Sequence, residues 1–208
     1  MKTFLSNLIL FILSIFFILY HDSSYASNDF WKKLAIRSDV KISIDKKTNL
    51  RTAHFSGGVI VNETKKGGTI GIDNSGHGAI LCIWTIYTHM KNMSDICSPD
   101  SKNIFKKMID NYIDKINDFI AVNSLSPITK VQLEEQIKKK FLVLKERTDK
   151  MTKKQFGKQC SSYDFVQIMK NKTSTMSPKE LKTYIEKSNN SIDNSLSLIR
   201  PAVGNPCL

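Results

Sequence analysis

Asp73, Ser75 and His77 are the residue types of a hydrolase triad, in which a carboxylate orients an imidazole that activates a hydroxyl. All three lie on one short stretch, and neighbours so close in sequence have no separate elements on which to converge as a relay. Cys82 and His89 form the next candidate, a thiol with a base to activate it. On a helix they stand two turns apart, beyond hydrogen-bond reach. The run Gly71-Ile-Asp-Asn-Ser-Gly76-His77-Gly78 comes near a phosphate-cradling loop, but His77 and Gly78 occupy the places of its lysine and metal-binding hydroxyl. It reads as a turn that delivers the chain into a helix. No pair of carboxylates is placed for acid and base roles, so no catalytic residue is assigned.

Cys82, Cys97, Cys160 and Cys207 carry the remaining covalent chemistry. Their even number suits two disulfides in an oxidising compartment, and the absence of a C-x-x-C or a histidine at ligand spacing argues against a metal site. No metal or cofactor is implied. If Cys82 and Cys97 share one continuous helix, a rise of 1.5 Å per residue sets them roughly 22 Å apart. A disulfide spans no more than about 7 Å between Cα atoms. Pairing the two therefore requires a break near Asn92; without it, one reaches Cys160 and the other Cys207.

The charge is +12, with four arginines among 31 basic residues. Its densest exposed interval holds Lys138, Lys139, Lys140, Lys145, Arg147, Lys150, Lys153, Lys154 and Lys158 against Glu146 and Asp149. These residues form a candidate anion-binding patch, competing with the plainer reading as a solvated helix face. A nucleic-acid role is disfavoured, because the interval lacks interleaved aromatics. Reversing Lys139, Lys140, Lys153 and Lys154 to glutamate is expected to leave folding intact.

The elements that position these groups begin with Gly78–Cys97. Ala79, Cys82, Ile83, Ile86, Tyr87, Met90 and Met93 repeat at helical spacing, with His77, Leu81, Thr85, Thr88 and Lys91 opposite. The expectation is a central helix buried along one side; a strand rich in β-branched residues is the alternative. Before it, residues 27–76 read as two or three short strands at Val40–Ile44, Val59–Val61 and Ile70–Ile72, preceded over Asp29–Ile36 by a short helix or a segment docked on the core. After it, Ser98-Pro99, Ser126-Pro127 and Ser177-Pro178 look like helix starts. The first of these helices runs to about Val122 and buries Phe105, Met108, Ile109, Tyr112, Ile116, Phe119 and Ile120. The second runs to about Arg147 with Ile128, Val131, Ile137, Phe141 and Leu144 inward. A third near Thr152–Lys170 carries Phe156, Cys160, Tyr163 and Met169. The last ends near Lys187, leaving 188–208 as an extended tail. The fold class is mainly α within α+β: a small N-terminal β-hairpin region followed by a disulfide-bonded bundle of about five helices.

Residues 1–26 have the form of a signal peptide: Lys2, the apolar run Leu8–Tyr20, and Ser24-Tyr25-Ala26 as a small-x-small cleavage site. The apolar run is shorter than the ~20 residues a spanning helix needs, which argues against a retained anchor. Residues 27–208 are read as a single exported domain, secreted or periplasmic, with no stable membrane span after cleavage.

A signal peptide, a small basic cysteine-paired domain and no active-site motif together resemble the Sec-exported, effector-type proteins of host-associated alphaproteobacteria. The apolar cysteine-bearing stretch from Cys82, with Cys97-Ser98-Pro99 opening an amphipathic helix, is similar to periplasmic immunity proteins of the Rap/Tai kind, which neutralise cell-wall amidase toxins. That likeness covers only Cys82–Val122 and lacks a Gly-Tyr pattern around the first cysteine. The expected function is occupancy of a partner, a protein or an anionic surface, rather than catalysis. The alternatives are a periplasmic inhibitor or immunity protein, and an exported hydrolase with an unrecognised site.

Overall fold

The computed structural model describes residues 28–99, 104–162, 178–205 and 207. The signal segment with its cleavage site, Tyr163 and Met169, the Ser177 cap and the side chain of Phe105 lie outside the described residues. The protein is mainly helical, with an N-terminal four-stranded antiparallel sheet, six helices among the described residues and two disulfides. The described residues divide into two compact units, 28–55 with 60–71, and 56–59 with those from 72 onward.

In the first unit, α1 (Asn28–Ala35) buries Trp31 and Leu34, as their spacing on one face requires. The sheet has the order β1 (Val40–Ile44), β2 (Arg51–Phe55), β3 (Val59–Glu63), β4 (Thr69–Asp73). Strand β2 was not expected, because Arg51-Thr-Ala-His-Phe shows little apolar alternation. Only Ala53 and Phe55 are buried in it, and its place is set by pairing on both sides, Val40 to Phe55 with β1 and Thr52 to Asn62 with β3. Arg51 closes that second ladder with a two-pronged ion pair to Glu63, at 2.9 and 2.6 Å, and lays its guanidinium 4.9 Å from the Trp31 ring. The hydrogen bonds from Arg51 hold the Glu63 carboxyl below its ordinary range.

In the second unit, α2 (Ile80–Cys97) runs unbroken through both of its cysteines. It packs on α3 (Ile104–Asn123) and α4 (Lys130–Asp149); α3 also packs on α6 (Pro178–Leu196), and α5 (Lys153–Ser162) follows α4. The core is built from Ile80 and Trp84 of α2, Met108, Ile109, Tyr112, Ile113, Ile116 and Ile120 of α3, Leu133 and Ile137 of α4, and Ile192 of α6. The face expected of α3 is the one that is buried.

Helix α2 departs from expectation: Trp84, Thr88, Asn92 and Ser94 are buried along with Cys82 and Met93, while Ile86 is 45% exposed. Neighbours on several sides cover even polar positions, which a one-sided pattern does not anticipate. In α4, Val131 is exposed and Leu133 takes its place inside.

One helix start also differs. Ser98 ends α2, its N–H donating to Ser94 O, and residues 100–103, on which the Ser98-Pro99 start depends, lie outside the described residues. Thr129, not Ser126, caps α4: its hydroxyl accepts from the Gln132 N–H while the Gln132 side chain accepts from the Thr129 N–H. Thr152 and Gln155 repeat this box at α5. Each box satisfies donors at both residues, an advantage over a hydroxyl acting alone. Helix α6 continues to Leu196 rather than ending near Lys187, because buried Ile192 and partly buried Leu196 pack one face into the core.

Candidate functional site

The stretch Asp73–Gly78 serves structure. The Asp73 carboxylate is turned to Arg200, whose Nε donates to Oδ2 at 2.7 Å, with both side chains fully shielded from solvent. Arg200 uses its other donors on carbonyls, Nη1 to Ser195 and Leu198 and Nη2 to Gly78, and stacks 5.7 Å from the Phe119 ring. Ser75 accepts from the His77 backbone N–H, and His77 Nδ1 donates to Asn194 O at 2.8 Å, so the three candidate residues form no relay. Gly57 lies beside this pair, where an added Cβ would come within 2.9 Å of Arg200 Cβ.

The chain beyond α6 is a strap along the second unit. Ala202 N–H donates to Asn123 O, Leu81 N–H to Val203 O, and Asp73 N–H to Asn205 O, where Ile72 and Asn205 form a parallel bridge. Cys207 then bonds Cys82, with Cα atoms 5.3 Å apart, and Cys97 bonds Cys160 at 5.7 Å. Since α2 is continuous, Cys82 and Cys97 do not pair with each other, and of the two connectivities an unbroken helix allows this is the one formed. Cys82 is thereby committed to a disulfide rather than held as a nucleophile for His89.

The basic interval separates into four environments. Lys140 leaves the expected patch: its ammonium lies 4.3 Å over the Trp84 ring, buried and without a hydrogen-bond partner among the described residues, and burial pushes its pKa down to about 8. Burial and then the nearby Lys140 charge hold His89 below its ordinary value. Lys138 is exposed at the rim of a groove. Lys145 and Lys150 pair with Asp149 and Glu146 along α4, at 2.8 and 2.7 Å. Arg147 and Lys158 are exposed, as are Lys139, Lys153 and Lys154. Lys139 shares its side of α4 with Leu142 and Val143, three and four residues on, which are 54% and 57% exposed. Lys153 and Lys154 stand in the first turn of α5, where positive charge opposes the helix dipole.

The groove, about 340 Å³, opens between α2, α3 and α4. Sequence reasoning gave no site role to Asn92 or Asn117, which line it while each is 2% exposed. Trp84 Nε1 donates to Asn117 Oδ1 at 2.7 Å. Lys91 binds Asp110 and Asp95, Lys106 binds Asp95 at 2.5 Å, and Lys130 binds Asp114 and Asp118, tying the three helices across its edges. The signal for such a site was the Asp110, Asp114, Asp118 row, one carboxylate per turn of α3.

No family model, curated protein or solved structure matches the chain.

Proposed function

We propose that the protein is exported and acts by occupying an acidic protein partner through the outward faces of α4 and α5, without turning over a substrate. One observation carries this reading: Lys139, Leu142 and Val143 share an outward side of α4, a helix whose buried residues are Leu133, Ile137 and Thr148. Exposed aliphatic groups beside Lys139, which is in no ion pair among the described residues, supply both parts of a docking surface, apolar contact and long-range attraction. Lys153 and Lys154 extend the positive charge onto α5 despite its dipole. A protein partner fits better than a lipid surface, because the aromatic anchors of interfacial helices do not accompany Leu142 and Val143 on that side. The two disulfides suit an oxidising compartment, and among the described residues no helix is long and apolar enough to cross a membrane.

Immobilised heparin, as a model acidic surface, and anionic vesicles test the reading. Heparin should retain the wild type at ~0.1 M salt and release it towards 1 M, as the Debye length falls from ~10 to ~3 Å. The triple variant K139E/K153E/K154E should lose retention and keep its fold. Equal retention of the two proteins would overturn the assignment, and tight binding to vesicles but not heparin would overturn the protein partner.

A further inference from the structure

The groove between α2, α3 and α4 carries an inference independent of the outward face of α4. Its deepest polar residues are Asn92 and Asn117. Trp84 occupies Asn117 Oδ1, and among the described residues neither the Asn117 amide nitrogen nor the Asn92 side chain has a hydrogen-bond partner within the protein. Polar groups withdrawn from bulk water in this way favour a ligand that can bond them.

The charges at the rim narrow the ligand further. Asp95 and Asp110 are paired with Lys91 and Lys106, and Asp114 shares Lys130 with Asp118. Glu134 and Lys138 remain, one helical turn apart on α4, both exposed on the groove and neither in an ion pair among the described residues. Ile137 and Phe141 line the space beside them. The groove thus offers one anion, one cation, an amide floor and an apolar wall within a volume at the small end of ligand sites.

We propose that this groove binds a free α-amino acid with an apolar side chain. Its ammonium meets Glu134, its carboxylate meets Lys138 and the amide hydrogens of the floor, and its side chain lies against Ile137 and Phe141. The adjacent opposite charges of an α-amino acid match two side chains one turn apart, as a single-charged ligand does not.

L-leucine, N-acetyl-leucine and leucinamide differ by the loss of one charge each and serve as probes on the oxidised full chain. Titration followed by heteronuclear NMR should show L-leucine shifting the side-chain amide resonances of Asn92 and Asn117, and both blocked forms binding at least about tenfold more weakly. The surface variants Glu134→Gln and Lys138→Gln, which leave the core untouched, should each weaken L-leucine by a similar factor. No shift up to about 10 mM L-leucine, equal binding of the blocked forms, or unchanged binding by both variants would each overturn the proposal.

Discussion

At the scale of single residues, arginine and lysine divide the work. In a chain so rich in lysine, Arg37, Arg51 and Arg200 each pair with a carboxylate and lie over an aromatic ring, Phe55, Trp31 and Phe119 respectively. A planar guanidinium can do both at once; an ammonium is a compact point charge. Asp73→Ala would leave Arg200 buried without its counter-ion, which should destabilise the protein by about 3–5 kcal/mol. Urea denaturation at neutral pH measures this, and a loss under about 1 kcal/mol would show that the pair is dispensable. Lys140 makes a prediction of pH dependence. Its folded pKa is lowered to about 8 by burial, while in the unfolded chain it returns to about 10.5. Between those values the unfolded state holds a proton that the folded state has shed, so this group makes stability rise with pH across the window. His89 acts on the acid side: with its folded pKa lowered, stability falls as pH drops through about 6.5, where the unfolded imidazole gains a proton first. Denaturation of wild type and Lys140→Met at pH 8 and 10 should show a rise in the former that the latter lacks; equal rises would sink the assignment. The same burial means that Lys140, unlike Lys139, Lys153 and Lys154, would not tolerate glutamate. Asp73 was visible in the sequence, but its partner lay 127 residues away, and no local pattern joins them.

At the scale of elements, the helical face of α3 was legible because its burial repeats strictly; the sequence tied the cysteine pairing to the continuity of α2 but decided neither that continuity nor which of Cys82 and Cys97 meets Cys207. One cap was misread: Ser126-Pro127 is a familiar start, but Thr129-x-x-Gln132 offers reciprocal bonds and sets the boundary of α4, while Thr152-x-x-Gln155 does the same for α5 at the start expected near Thr152. Thr129→Ala should cost about 1 kcal/mol of stability, read as a lowered midpoint with an unchanged slope in denaturant. An unchanged midpoint would mean that α4 is held by packing alone. Strand β2 and the last turns of α6 escaped notice for a common reason: Arg51-Thr-Ala-His-Phe and Lys187-Ser-Asn-Asn-Ser have weak intrinsic preference, and ladder partners or a docked Ile192 decide their conformation. The groove was illegible because Asn92 and Asn117 come to line one space only when α2 and α3 pack.

At the scale of the whole molecule, the strap and the disulfides convert a bundle of separate helices into a closed scaffold. The bonds join residues 125 and 63 positions apart, and constraints over loops that long remove much freedom from the unfolded chain. The strap meets the second unit at Asn123, Leu81, Asp73 and Cys82. What this scaffold leaves outward on α4 and α5 is the basis of the proposed function, so the location of binding is the point to test. Hydrogen–deuterium exchange of the oxidised protein, with and without saturating heparin at low salt, maps it directly. The expected result is slowed exchange in peptides covering 138–158, lost in K139E/K153E/K154E. Slowed exchange confined to α6 or the sheet, with 138–158 unchanged, would contradict the assignment of α4 and α5 as the docking face.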